Sequence, residues 1–152
     1  MKNLLVTVEL LIISFQFVGC STMVAYEGPA QPKEEISVIR TSWVDELVKD
    51  TLPNIACIDG KKVPQFNKHI EVLPGKHRID IAFSHTRYMI IGNVASRYQG
   101  YFDFETVAGK IYFARGGMDN GNRPIVWIED GTTDQVTARG YAVEVTTWGE
   151  CH

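Results

Sequence analysis

The chain has 152 residues, a formal net charge of −3, and 45% hydrophobic and 22% charged residues. These proportions exclude a disordered chain, and the lack of a basic surplus argues against a nucleic-acid partner. Once an N-terminal leader is set aside, the remaining length suits one domain with a hydrophobic core.

The N-terminus has the pattern of a bacterial lipoprotein signal peptide. Lys2 supplies a short basic region, and a mostly apolar stretch over residues 4–18 leads to Gly19 and Cys20. This ending resembles the lipobox, in which a small residue fits the peptidase pocket and the Cys thiol accepts a diacylglyceryl group. We therefore predict a signal peptide over residues 1–19 and lipidation of Cys20, with palmitate among the acyl groups that it carries.

Two other interpretations of the leader stay open. One is a plain secretory signal, and the other is a single membrane-spanning helix. A spanning helix needs about 20 apolar residues, whereas this shorter run contains Glu9 and Gln16. Ser21 directly after Cys20 resembles the outer-membrane sorting pattern of enteric-type lipoproteins. The predicted location is therefore the cell envelope, lipid-anchored in the outer membrane and facing the periplasm.

Residues 20–33 are predicted to be the lipidated Cys and a tether rich in Pro and Gly. Pro29 and Pro32 disfavour a helix or a central strand, and their spacing favours polyproline II. The same spacing could serve a proline-binding domain. A short stiff spacer between membrane and domain is the interpretation adopted here.

Residues 34–152 are predicted to form one all-β domain, because apolar and polar residues alternate in short runs bounded by Gly, Pro, Asp or Asn. Seven or eight such runs predict an antiparallel sandwich or barrel, and a small antiparallel β-sandwich is the prediction adopted. Asp59-Gly60 predicts a tight turn in which both residues have positive φ. One segment departs from the pattern, since its i, i+4 spacing allows a short helix near residues 42–50. The apolar residues assigned to the alternating runs are Ile36, Val38, Ile70, Val72, Ile79, Ile81, Phe83, Phe102, Phe104, Ile111, Phe113, Val126, Ile128, Tyr141, Val143 and Val145.

The cysteines fit an exported chain. With Cys20 used for lipid, Cys57 and Cys151 remain as an even pair in an oxidising compartment. We predict a disulfide between them. The alternative is two unrelated thiols, one buried and one near a frayed end.

Two segments resemble a recurring bacterial extracytoplasmic module, the PEGA domain. They are Cys57-Ile58-Asp59-Gly60-Lys61-Lys62-Val63 and Ile70-Glu71-Val72-Leu73-Pro74-Gly75-Lys76-His77-Arg78-Ile79-Asp80-Ile81. In that family a strand enters an Asp-Gly turn, and a second strand ends at Pro-Gly before a third returns. The tetrapeptide that names the family is replaced here by Leu52-Pro53-Asn54-Ile55. The resemblance, which extends to small bacterial lipoproteins, implies a β-sandwich with an envelope role and carries no catalytic motif.

No motif in the sequence predicts catalytic, metal or cofactor chemistry. His69, His77 and His85 are eight residues apart, but strand parity places them on different faces, whereas zinc ligands must converge. We expect surface or turn histidines, with His77 bonding the turn backbone. The acidic loop at Asp119 lacks the ligand spacing of an EF-hand. Hydrolase elbows and Cys-x-x-Cys pairs are missing, and Asp130 is expected to stabilise a turn.

Two hypotheses for function follow. The first is a non-catalytic envelope module that binds a protein, peptide or glycan, with contacts expected on a polar loop over residues 116–124. The second is a small envelope enzyme or enzyme inhibitor with an unrecognised site. The residues predicted to contact a partner are Met118, Asp119, Asn120 and Tyr112.

The aromatic residues have two interpretations. Four tyrosines could line a groove for a glycan or peptide, or most of them could fill the core, where aromatic rings contribute much buried area. The core interpretation is the one predicted for most of these rings. The four tyrosines are Tyr98, Tyr101, Tyr112 and Tyr141.

Overall fold

The computed structural model describes residues 22–41, 51–64 and 69–152. The predicted signal peptide, Cys20 and the predicted helix near residues 42–50 lie outside these ranges. Within them the chain forms ten strands and no helix, which confirms the all-β prediction. The strands are β1 (Thr22–Val24), β2 (Ser37–Thr41), β3 (Thr51–Ile58), β4 (Lys61–Lys62), β5 (His69–Val72), β6 (Gly75–Met89), β7 (Gly92–Thr106), β8 (Ile111–Met118), β9 (Pro124–Asp130) and β10 (Val136–Glu144).

The strands form one sheet in the order β1-β5-β2-β8-β9-β10-β7-β6-β3-β4. Most neighbours are antiparallel, but β1 runs parallel to β5 and β2 runs parallel to β8. The predicted antiparallel two-sheet sandwich is therefore wrong in its detail, and the domain is a single mixed sheet curled into a half-barrel. Alternation reports which residues form strands, whereas the pairing of distant strands depends on how the long connections close.

The curl brings the two halves of the sheet together around one core. Phe83 on β6 lies directly over Gly116 on β8. Phe83 and Tyr98 stack at 5.3 Å, and Phe104 meets Tyr112 edge to face at 5.7 Å. Further fully buried side chains of this core are Ile39, Ile55, Ile70, Ile79, Ile81, Val126 and Ile128.

Three strands bury the face opposite to the one predicted. On β2 the predicted inward residue Val38 is half-buried, and Ile39 is fully buried instead. On β8 the predicted inward residues Ile111 and Phe113 are half-buried on the outside, and Tyr112 points inward. On β10 the predicted inward residues Tyr141 and Val143 are exposed. On β8 the inward Tyr112 ring packs edge to face against Phe104. On β10 a ring of the neighbouring strand leaves room only for small inward residues. A Cβ on Gly140, for example, would lie 3.2 Å from the ring of Phe102.

Strand directions define two ends of the sheet. We call the end at which β6 stops and β7 starts the hairpin end. Following the pairings outward, this is also the end toward which β10 finishes, β9 begins and β8 finishes, so Met89, Gly92, Met118, Pro124 and Glu144 lie toward it. Thr22 does not lie there, because through His69 and Arg40 it is level with Phe113, near the start of β8.

The predicted tether is only partly a tether. Thr22–Val24 form β1, with Thr22 opposite His69, and the Ala25 amide donates to the carbonyl of Glu71. The sequence did not predict this strand, because three residues are too few to show alternation and the Pro and Gly residues that follow indicate a tether. The first described strand therefore starts two residues after Cys20.

The predicted disulfide is present. Cys57 and Cys151 are bonded across 94 residues, with their Cα atoms 5.6 Å apart. Cys57 is fully buried in a small second cluster with Ala56 and Ala82, against which Trp148 packs. The bond thus holds the segment after β10 against β3.

Two predicted turn features are confirmed. Asp59 and Gly60 have φ of 50° and 74°. Beside them, the His77 ring lies 2.7 Å from the carbonyl oxygen of Leu73 and 2.7 Å from the Asp59 carboxylate. His77 therefore fixes two turns at the end of the sheet opposite the hairpin end.

Candidate functional site: a groove on the outer face of β9 and β10

An outward-facing groove runs between β9 and β10. Its larger part has a volume of about 460 Å³ and an apolar floor that includes Trp127 and Val136. A second hollow of about 210 Å³ extends it toward the hairpin end, where Asp119 and Tyr141 line it. We call the two parts together the β9–β10 groove. Its residues are Asp119, Arg123, Ile125, Trp127, Val136, Thr137, Ala138, Arg139, Gly140 and Tyr141.

The β8–β9 loop closes one end of this groove and is held by Asp119. Oδ1 of Asp119 accepts hydrogen bonds from the amides of Gly121 and Arg123, both at 2.9 Å. Oδ2 accepts from Nε of Arg123 at 2.9 Å. The bond from the Arg123 amide and then its guanidinium lower the pKa of Asp119. Asp119 therefore shapes the loop and keeps it in one conformation.

Cation–ring contacts order the side chains along the groove. The Arg123 guanidinium lies 5.5 Å from the ring centre of Tyr141, which is 69% exposed. On β9, Glu129 accepts hydrogen bonds from Trp127 Nε1 at 2.8 Å and from Arg115 Nε at 3.0 Å. These contacts hold both aromatic rings without covering them, because a partner can still reach the open side of each ring.

Only some of the residues predicted to contact a partner lie at the surface. Asp119 lines the groove and Asn120 is exposed. Met118 belongs to β8 and packs against the core. The loop is therefore shorter than predicted, because residues 116–118 continue the strand. Tyr112 was wrongly assigned to the surface: it is 2% exposed, and its hydroxyl accepts the Val107 amide hydrogen bond at 3.0 Å.

The four tyrosines do not form one groove. Tyr98 and Tyr112 are buried, whereas Tyr101 and Tyr141 are exposed. Tyr101 stacks on His152 at 4.7 Å instead of joining the groove. The sequence did not predict the groove residues of β9 and β10. The available signal was that Arg139 and Tyr141 lie on one face of the strand, with the small residue Gly140 between them on the other.

His69, His77 and His85, which are eight residues apart in sequence, have different surroundings. His69 Nε2 accepts from Arg40 Nε at 2.6 Å, and burial followed by the Arg40 charge lowers the pKa of His69. His77 bonds turns, and His85 lies opposite Thr51. Within residues 22–41, 51–64 and 69–152, no three His, Cys, Asp or Glu side chains are placed to share a metal ion.

A buried carboxylate and a histidine form a pair that the sequence did not suggest. Asp80 is fully buried, and its Oδ1 lies 2.7 Å from Nδ1 of His152. Gln99 Nε2 donates to the same oxygen at 3.4 Å. Nothing in the local sequence links these residues, because 72 positions separate Asp80 from His152. The disulfide at Cys151 brings them together.

The His152 side of this pair borders a shallow cavity of about 430 Å³. Arg78 and Asp103 also line it, and Arg78 Nε donates to Asp103 at 2.9 Å, which lowers the pKa of the Asp103 carboxyl. In the described part of the chain, His152 contacts Asp80 and the Tyr101 ring, neither of which is an activated nucleophile. The pair orients an imidazole, but these contacts do not complete a nucleophile–base set.

No family model, curated protein or solved structure matches this chain. The part of the chain that the structure describes also contains no helix long and apolar enough to cross a membrane.

Proposed function

We propose that this chain is a lipid-anchored protein of the bacterial cell envelope that acts by binding, with the β9–β10 groove as its binding site. The observation that carries the proposal is the groove itself. It combines an open aromatic and aliphatic floor with a guanidinium-bearing wall on rigid strands, a composition common at protein interfaces. The anchor is inferred from the leader and Cys20.

The chemistry of the groove indicates the kind of partner. Trp127 and Tyr141 offer ring faces, Val136 offers an aliphatic wall, and Arg139 offers exposed hydrogen-bond donors. A peptide or glycan segment could stack on the rings and accept hydrogen bonds from Arg139. The partner proposed is therefore an envelope protein, peptide or glycan with hydrogen-bond acceptors beside an apolar surface.

Photo-crosslinking tests the site directly. A benzophenone amino acid is introduced at Arg139 in the groove and, as a matched control, at Val107, which is exposed at the opposite end of the sheet. We expect a discrete adduct in living cells from position 139 only, and Tyr141→Ser on the same chain should weaken it. Equal adducts from both positions, or none from 139, would reject the groove.

A second candidate is catalysis or enzyme inhibition at the Asp80–His152 pair. The specific observation in its favour is the buried carboxylate that orients an imidazole beside a cavity, since general bases are often positioned in this way. His152→Gln removes the base while retaining hydrogen-bonding capacity. Turnover of an envelope substrate that is lost in this variant would favour the catalytic function over the binding one.

A further inference from the structure

The β6–β7 hairpin extends beyond the described strands on either side of it. The last described partner of β6 is Thr51, opposite His85, and the last contact of β10 with β7 is the bond from the Val145 amide to the Arg97 carbonyl. Beyond these points, residues 86–95 pair only with each other in the described chain. At about 3.4 Å per residue, the projecting part reaches roughly 15 Å past its neighbours.

The tip of this hairpin is apolar and fully exposed. Ile90 and Ile91 form its two-residue turn; Ile90 is fully exposed and Ile91 is 94% exposed. Met89 and Val94 beside them are more than half exposed. Two-residue turns favour Asn, Asp and Gly, so two isoleucines satisfy neither the turn nor the surrounding water. Such a contiguous apolar patch marks an interaction site.

The charges around the tip select the kind of surface it meets. Residues 81–102 contain no Asp or Glu, and Arg87 stands two residues before Met89. Arg97, at the base of the projection, lies over the Trp148 ring. Glu144 pairs opposite Tyr98, at the base of the projection. An apolar end with cationic flanks is complementary to a surface whose outer layer is anionic and whose interior is hydrocarbon.

The predicted lipid holds the domain at a bilayer but lies away from the tip. Thr22 is level with Phe113, near the start of β8, and the two residues from Cys20 to Thr22 span at most about 7 Å. An acyl group on Cys20 would therefore hold the β1 edge of the sheet at the bilayer, and a membrane contact at the tip would be a separate one. This step rests on the proposed function.

We propose that the β6–β7 hairpin tip inserts into the headgroup region of an anionic phospholipid membrane. Ile90 and Ile91 enter the boundary with the acyl chains, and Arg87 contacts lipid phosphates. The hairpin then acts as a second, reversible membrane contact besides the acyl group on Cys20.

Vesicle co-sedimentation of residues 21–152 tests the insertion without the acyl group. This chain keeps every described strand and the Cys57–Cys151 bond. The vesicles are phosphatidylcholine, with or without about one-third phosphatidylglycerol. We expect partitioning into the anionic vesicles, reduced on the order of 100-fold by Ile90→Asn with Ile91→Gly, because two isoleucine side chains are no longer buried. Arg87→Gln should reduce it about fivefold.

The variants keep the test decisive. Ile90 and Ile91 are almost fully exposed, so the double variant removes no buried contact and should fold. Val107→Ser removes an exposed apolar side chain at the opposite end of the sheet and should leave partitioning unchanged.

Two results would overturn the inference. One is equal partitioning of the original chain and the double variant, and the other is self-association that depends on the tip without vesicle binding, which would assign the tip to a second copy. Neither result bears on acylation of Cys20, which palmitate labelling tests separately.

Discussion

Gly116 on β8 and Phe83 on β6 lie in direct contact across the curl of the sheet. A Cβ built on Gly116 would be 2.5 Å from Cδ1 of the Phe83 ring. Phe83 is fully buried and stacked on Tyr98, so its ring has no free space to move into. The closure of the half-barrel therefore depends on the absence of one side chain.

Gly116→Ala should destabilise the domain by about 1–3 kcal/mol, the usual cost of overpacking a core. Urea unfolding followed by tryptophan fluorescence measures the change. Gly117→Ala is the matched control on the same strand, because its Cβ would meet the Trp127 ring at ordinary distances of 3.5 and 3.6 Å. Equal effects of both substitutions would contradict the proposed closure.

Removing the disulfide should cost stability without changing the fold. For residues 94 apart, the chain-entropy model gives an upper value of about 4–5 kcal/mol. Cys57→Ala with Cys151→Ala should lower the free energy of unfolding toward that of the reduced original chain. Non-reducing peptide mapping of protein from the envelope checks the pairing, and alkylatable thiols at both positions would refute it.

Asp130 should contribute to resistance against acid. Lys110 Nζ lies 2.6 Å from its Oδ2 and, together with the Thr132 amide, lowers the pKa of Asp130 below its ordinary 3.8. A carboxyl with a lowered folded-state pKa stabilises the fold above its unfolded pKa, and this contribution disappears as the pH falls through the folded value. The urea concentration at the unfolding midpoint should therefore decrease as the pH is lowered below about 4.

Asp130→Asn isolates this effect. The variant should have a lower urea midpoint at pH 7 and a shallower loss of stability below about pH 4. Lys110→Met should make the acid dependence shallower in the same way, because it removes the ammonium partner. An acid dependence as steep as in the original chain would rule out Asp130 as a source.

Cys20 should carry the lipid. Cys20→Ala is expected to leave an unprocessed precursor without palmitate label, since the thiol that accepts the diacylglyceryl group is missing. Because each buried methylene contributes about 0.8 kcal/mol, several acyl chains give a stable anchor. Normal processing of the variant, followed by gel mobility, would exclude the lipoprotein signal and favour plain secretion.

The sequence predicted the strands well because alternation is a local property. Ile79, Ile81 and Phe83 are buried as expected, and Asp59-Gly60 turns as its residue types require. The Cys57–Cys151 bond was also predictable, because two cysteines remain in an oxidising compartment once Cys20 is assigned to lipid. These inferences needed only neighbouring residues or a count.

The failures concern space that only distant strands define. Tyr141 has the parity of a core residue, yet it faces outward because the Phe102 ring occupies the interior beneath Gly140. Tyr112 has the parity of a surface residue, yet it faces inward, where its ring meets that of Phe104 on a distant strand. The β9–β10 groove and the Asp80–His152 pair depend on such long-range contacts, so local patterns could not reveal them.

The Cys57–Cys151 bond also sets an order of events. Cys57 is synthesised early in translation, whereas Cys151 follows only after β4–β10 have been synthesised. Oxidation can therefore seal the domain only as a late step, when the last strands have emerged. A chain cut short anywhere before residue 151 keeps a free thiol at position 57, so the state of that one sulfur distinguishes finished molecules from incomplete ones.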